Sequence, residues 1–160
     1  KKTTTLSVSK TQKIGILATQ GTLTSELFFK TTQKFHNTKI IEQVGHGLVQ
    51  LIEDGQIDSA EMNQLLHSYL EPMIAANIDY LVLGCSHYPY LIPQIRKILP
   101  SNIQIIDSGE AVARQTKNLL EKTIGFSGAS EVTPIFYTNT NPKVLQEIIG
   151  YNYQVIQREF

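Results

Sequence analysis

The run Tyr80-Leu81-Val82-Leu83-Gly84-Cys85-Ser86-His87-Tyr88-Pro89 sets four apolar residues in a row, then a glycine, then a thiol, a hydroxyl and an imidazole in succession. A short continuous apolar run closed by glycine is the pattern of a strand that a parallel sheet covers on both faces. Pro89 suits the approach to a helix, which the spacing predicts over Leu91–Leu99, with Pro100 as its stop. Strand, polar turn and helix make up most of a βαβ unit. The rest of the chain repeats that order.

Upstream, Ile14–Ala18 reads as a buried strand, followed by the polar turn Thr19–Ser25. Ser25 caps a helix over Glu26–Phe35 with Leu27, Phe28, Thr31 and Phe35 on one face. Ile40–Val44 is a second strand; His46–Glu53 is a short helix with Leu48, Leu51 and Ile52 inward, ended by Gly55. The clearest helical signal covers Asp58–Asn77. Asp58 is its N-cap, Glu61 follows three residues on, and Met62, Leu65, Leu66, Tyr69, Leu70 and Met73 recur at helical spacing. Pro72 bends or breaks its last turn. Downstream come a strand over Ile103–Ile106, a cap and turn at Asp107-Ser108-Gly109, and a helix over Glu110–Lys122. A small-residue loop, Gly125–Ser130, precedes strand Thr133–Tyr137, helix Pro142–Ile149 and strand Gln154–Ile156. The alternation predicts an α/β fold, with mostly parallel sheets flanked by helices and right-handed crossovers.

Composition narrows the classes of function. Fourteen basic and fourteen acidic side chains cancel, so no long-range field draws the chain to nucleic acid or an anionic membrane. No apolar run approaches the ~20 residues that span a bilayer, and Lys1–Lys13 lacks the apolar core of a secretory signal. The single cysteine, Cys85, cannot form an intrachain disulfide, which fits a reducing cytoplasm. His36, His46 and His67 show no ligand spacing with one another or with Cys85, so no metal site is expected.

Ligands of parallel α/β sheets sit beyond the carboxyl ends of the strands, which singles out Thr19–Ser25, Cys85–Pro89 and Asp107–Gly109. On burial statistics alone, a lone cysteine after an apolar strand is a small core residue. A helix dipole and a neighbouring imidazole each favour the thiolate, however, and a thiolate there can act as nucleophile or proton acceptor. His87 alone reads as a hydrogen-bonded surface residue, Glu53 as a solvated one, and Asp107-Ser108-Gly109 as a cap and turn.

Taken whole, Gly84-Cys85-Ser86-His87-Tyr88-Pro89 resembles the Gly-Cys-Thr-His-Tyr-Pro signature of glutamate racemases, with Ser86 in place of Thr. Aspartate racemases typically carry Glu after Cys-Thr, so His87 favours the glutamate class. Ile14–Thr22 is similar to the family's first strand and Gly-Thr-x-Gly-Thr turn, with Ala18 where Gly is usual. Leu48–Gly55 is similar to Leu-Val-Pro-Leu-Ile-Glu-x-Gly, with Gln50 for Pro. Ile106-Asp107-Ser108-Gly109, with Ala113, matches an Ile-Asp-Ser/Pro-Gly-x-x-x-Ala run. These segments cover about Lys13 to Ala113.

The resemblance implies a function as well as a fold. Cys85 matches one of two catalytic thiols that face opposite sides of the substrate α-carbon, His87 the histidine assisting it, and Glu53 an acid that orients or tunes that histidine. Ser86, with His87, falls at a substrate-binding position; Thr19 and Thr22 fall in a turn that can bind a carboxylate. The implied reaction interconverts L- and D-glutamate by two-thiol proton transfer. It uses no cofactor, supplies D-glutamate for peptidoglycan, cell-wall biogenesis and cell shape, and runs in the cytoplasm, with a homodimer possible. Its partner is a small amino acid rather than a membrane or nucleic acid. The implied architecture has two domains: residues 13–107 form the second, carrying the Cys85 half of the site, and residues 108–160 return to complete the first. The N-terminal part of that first domain, with its own cysteine, is missing, so the chain alone is expected to be inactive. The alternatives are a non-catalytic carboxylate-binding relative and another member of the superfamily, such as a decarboxylase or hydantoin racemase.

Overall fold

The computed structural model describes residues 9–125 and 132–160. Strand β1 (Lys13–Ala18) leads through the short helix α1 (Gln20–Leu23) and α2 (Glu26–Thr32) to β2 (Lys39–Val44). Helices α3 (Leu48–Glu53) and α4 (Ala60–Ala75) precede β3 (Tyr80–Gly84). A 3₁₀ turn (Tyr88–Leu91) then runs into α5 (Ile92–Ile98), β4 (Gln104–Ile106) and α6 (Gly109–Thr123). Strand β5 (Ile135–Thr138), helix α7 (Pro142–Ile149) and strand β6 (Gln154–Gln157) close the chain. Two sheets result. One has four strands in the order β2-β1-β3-β4, the other pairs β5 with β6, and every pairing is parallel.

Side chains of a strand alternate between faces, and the two faces of the larger sheet are covered unequally. Leu17, Leu81 and Leu83 point into the main core with Leu48, Leu51 and Ile52 of α3, Met62, Leu66, Leu70 and Met73 of α4, and Ile95 of α5. Ile14, Ile16 and Ala18 point the other way, into a smaller cluster where Phe28, Ile40, Tyr80 and Val82 are only partly buried. Strand β3 is therefore sealed on one face and half-covered on the other, rather than buried equally on both.

Several local expectations shift. The polar turn Thr19–Ser25 contains the helical turn α1, capped by Thr19. Ser25 does cap α2, accepting from the Phe28 amide, but the helix stops at Thr32. Its expected inner face is mostly in water: Leu27 is 77% exposed, because only Phe28 meets the smaller cluster. Ser59, not Asp58, caps α4 by accepting from the Met62 amide; Asp58 instead accepts from the Gln94 side-chain amide. Pro72 lies inside α4 without breaking it, and the helix continues to Ala75. Gly55, at φ +71, follows α3 as a left-handed terminator. Strand β5 begins two residues later than Thr133. Residues 126–130 of the expected loop Gly125–Ser130, and residues 1–8 of the start, lie outside the described residues. Among the described residues no helix is long and apolar enough to cross a membrane.

Candidate active site

The carboxyl ends of β1 and β3 lie side by side, with Ala18 paired to Gly84. A Cβ on Gly84 would stand 2.7 Å from the Ala18 Cβ, so the strands close up only because residue 84 has no side chain. Cys85 is the first side chain beyond the strand. It packs against the main core on one side. On the other it lines an open hollow with Thr19, Thr22, Ser86 and Ser108. The sulfur is thus half-buried rather than sealed among aliphatic neighbours.

Behind that hollow, α1 is pinned to β3. The Thr22 hydroxyl donates to the Gly84 carbonyl at 3.1 Å. The Thr19 hydroxyl, 3.0 Å from Thr22 Oγ1, then donates to it, while Thr19 Oγ1 accepts from the Thr22 amide at 3.3 Å. In this geometry both hydroxyl protons are used within the protein. Asp107 makes the expected turn, its Oδ1 accepting from the Gly109 amide at 2.7 Å.

Four side chains form a connected network around the His87 ring. Cys85 Sγ lies 3.9 Å from His87 Nδ1, Ser86 Oγ lies 3.3 Å from the same nitrogen, and His87 Nε2 lies 3.0 Å from Glu53 Oε1. An ionised carboxylate can only accept, so Nε2 carries the proton. In neutral imidazole Nδ1 is then the acceptor, directed at the thiol and the Ser86 hydroxyl. This is the nucleophile–base–orienter logic of a triad with a thiol at its head, at the loose sulfur–nitrogen distance common before substrate tightens a site. The His87 and Glu53 side chains are 35% and 54% exposed, so their pairing adds little stability. It fixes a ring orientation.

The structure therefore brings Cys85, Ser86, His87 and Glu53 together. Thr19 and Thr22 line the hollow, facing inward to their own hydrogen bonds. His67 pairs with Glu71 on the exposed side of α4. His36 lies away from the site in a shallow surface depression with Lys30, Gln33 and Lys34. Among the described residues no three of His, Cys, Asp and Glu are grouped to hold a metal ion. Two features have no local sequence signal. His87 and Glu53 also border a second hollow against Thr138, Asn139 and Thr140 at the end of β5, and against α7. Tyr88 is fully buried with its hydroxyl on the Gly45 carbonyl. Burial above all, with Cys85 and Tyr69 adding to it, pushes its hydroxyl up to about 12.

Residues 3–116 match the sequence family described as Asp/Glu/Hydantoin racemase. The glutamate racemase of Pseudomonas putida (strain W619) is 39% identical over 137 residues, covering 85% of this chain and 52% of that protein. The glutamate racemase of Ralstonia pickettii (strain 12J) is 38% identical over 146 residues, covering 91% and 52%. The chain spans about half the length of these curated relatives. Among solved structures, a glutamate racemase isoform from Bacillus anthracis superposes with a TM-score of 0.76 at 27% identity, over 97% of this chain and 60% of that one. The Escherichia coli glutamate racemase, solved with L-glutamate and an activator, gives 0.75 at 25% identity, over 94% and 59%.

Proposed function

The chain belongs to the Asp/Glu/Hydantoin racemase family, and from that membership we propose that it supplies one half of a cofactor-independent glutamate racemase. The observation that carries this reading is the Cys85–His87–Glu53 series, at 3.9 and 3.0 Å, at the carboxyl end of a central parallel strand. His87 Nδ1 takes the thiol proton, and Glu53 steadies the imidazolium that forms. The Cys85 thiolate then removes the proton from the glutamate α-carbon: the C–H bond breaks, an S–H bond forms, and the electron pair stays on carbon. A proton donor on the opposite face returns a proton to that pair, inverting the centre. Ser86 stands beside the thiol as a donor to the substrate, in a pocket whose fixed dipoles stabilise the carbanion. The product, D-glutamate, serves peptidoglycan synthesis in the cytoplasm.

The chain holds one cysteine, so the opposite-face thiol belongs to polypeptide beyond these 160 residues. Residues 13–107 are the domain built around Cys85, and residues 108–160 contribute to the domain carrying the other thiol. The separation of the strands into a four-stranded sheet ending at Ile106 and a two-stranded sheet beginning at Ile135 supports that division. The single thiol also favours a second reading, a carboxylate-binding relative that performs no turnover.

Circular dichroism of D-glutamate incubated with the chain alone is expected to stay flat. Adding the N-terminal half of a family racemase should start racemisation, and Cys85→Ala should stop it without changing the far-UV spectrum. Steady turnover by the unaccompanied chain, lost in Cys85→Ala, overturns the two-thiol reading. Glutamate binding with no turnover in the complemented sample establishes the binding relative instead.

A further inference from the structure

We propose that Tyr88 is a positioning residue for the thiol–imidazole–carboxylate series, acting through the backbone that leads into α3; the proposal rests on the racemase reading of that series. His87 and Tyr88 are neighbours in sequence, and their side chains grip opposite ends of one segment. The Tyr88 hydroxyl donates to the Gly45 carbonyl at 3.1 Å, and His87 Nε2 meets Glu53 Oε1 at 3.0 Å. Between these two points lie the loop Gly45-His46-Gly47 and the whole of α3.

That segment has little means of orienting itself. A helix of six residues is far too short to stand alone, and its N-cap, Gly47, offers no side-chain hydrogen bond. Leu48, Leu51 and Ile52 hold it to the core, but apolar contact is non-directional and leaves tilt to be set elsewhere. Two tyrosine hydroxyls set it: Tyr88 on the Gly45 carbonyl, and Tyr69, from α4, on the His46 carbonyl at 2.9 Å. Without Tyr88, the buried Gly45 carbonyl keeps only a 3.4 Å contact from the Leu48 amide. The Gly45 amide is itself fixed, donating to the Ala18 carbonyl at the end of β1 at 2.9 Å. The hydroxyl reaches Gly45 only because no side chain is there, since a Cβ would collide with it. At a rise of about 1.5 Å per residue, Glu53 sits at the far end of a lever pivoting at Gly45, and a small tilt there becomes a carboxylate displacement. A displaced carboxylate no longer holds the proton on Nε2, and Nδ1 loses its standing as acceptor toward Cys85.

The readout is the tautomer of His87, which requires no turnover, so failure to racemise and failure of this inference are separate results. In the 15N-labelled chain, two-bond 1H–15N spectra at a pH where the ring is neutral should show His87 as the Nε2–H form. Tyr88→Phe should raise the Nδ1–H share by roughly fivefold, the change expected for losing one net hydrogen bond, while the amides of β1 and β3 keep their positions. Glu53→Gln should move the ring in the same sense without moving the Gly45 amide. A folded Tyr88→Phe with an unaltered His87 spectrum overturns the proposal, as does a wild-type ring in the Nδ1–H form. If Tyr88→Phe does not fold, Tyr69→Phe must shift the tautomer in the same direction, and an unaltered ring in that variant also overturns it.

Discussion

Two side chains beyond opposite ends of β3 take part in hydrogen bonds with different consequences. Ser86 is exposed and touches His87 Nδ1, and Ser86→Thr keeps the hydroxyl that makes this contact. In the complemented racemase, threonine keeps the hydroxyl donor and is the residue of the glutamate racemase signature, so kcat/KM should change by less than about twofold. Asp79 sits at the amino end of β3. Burial raises its carboxyl, but the Ser9 hydroxyl and the Thr11 and Lys10 amides outweigh that, leaving it below its ordinary 3.8. A carboxyl lowered by folding contributes stability above its unfolded value, and that contribution is lost as pH falls through the folded one. Wild type should therefore lose urea resistance between pH 4 and lower values more steeply than Asp79→Asn, and parallel pH profiles would contradict this. At this scale Cys85, Ser86 and His87 were legible because they are contiguous. Glu53 became a candidate only through resemblance, and the Tyr88–Gly45 bond, spanning 43 positions, has no trace in either neighbourhood.

Among the secondary-structure elements, α4 shows how a cap is chosen. Asp58 and Ser59 are both good N-cap residues, and spacing to Glu61 favours the first. The structure uses the second, because Asp58 is drawn to the Gln94 side chain of α5. Ser59→Ala should cost ~1 kcal/mol in urea unfolding, whereas Asp58→Ala should leave the Met62 amide capped; a silent Ser59→Ala would contradict the assignment. Strands β1, β2 and β3 and the inward residues of α3 and α4 were legible because their apolar runs and helical spacing fall on faces that the fold covers, wholly or in part. The exposed face of α2 was not: amphipathic spacing says that a face is suited to burial, not that anything arrives to bury it.

For the molecule as a whole, the two sheets differ in protection. Leu17, Leu81 and Leu83 are 4% exposed or less, whereas Ile135 and Tyr137 of β5 are 48% and 47% exposed. Helix α6 has no buried residue. Opening free energies follow burial, so hydrogen exchange should be orders of magnitude faster in β5 and β6 than in β1 and β3; equal protection would contradict this picture. The α/β class with parallel sheets was legible from the alternation of elements. The split into two sheets was legible only through the resemblance, which divides the chain after residue 107, because periodicity identifies strands without saying which pair.

The missing clearance between residues 18 and 84 bears on which substitutions the two positions tolerate. With a methyl already on Ala18, a change at 84 to anything larger must wedge β1 from β3, and the thiol one residue further on would travel with the wedge. The two sites are coupled: a methyl at 84 would meet the Ala18 Cβ at 2.7 Å but its next neighbours only at 3.5 and 3.7 Å, so glycine at 18 would relieve the clash that alanine there imposes.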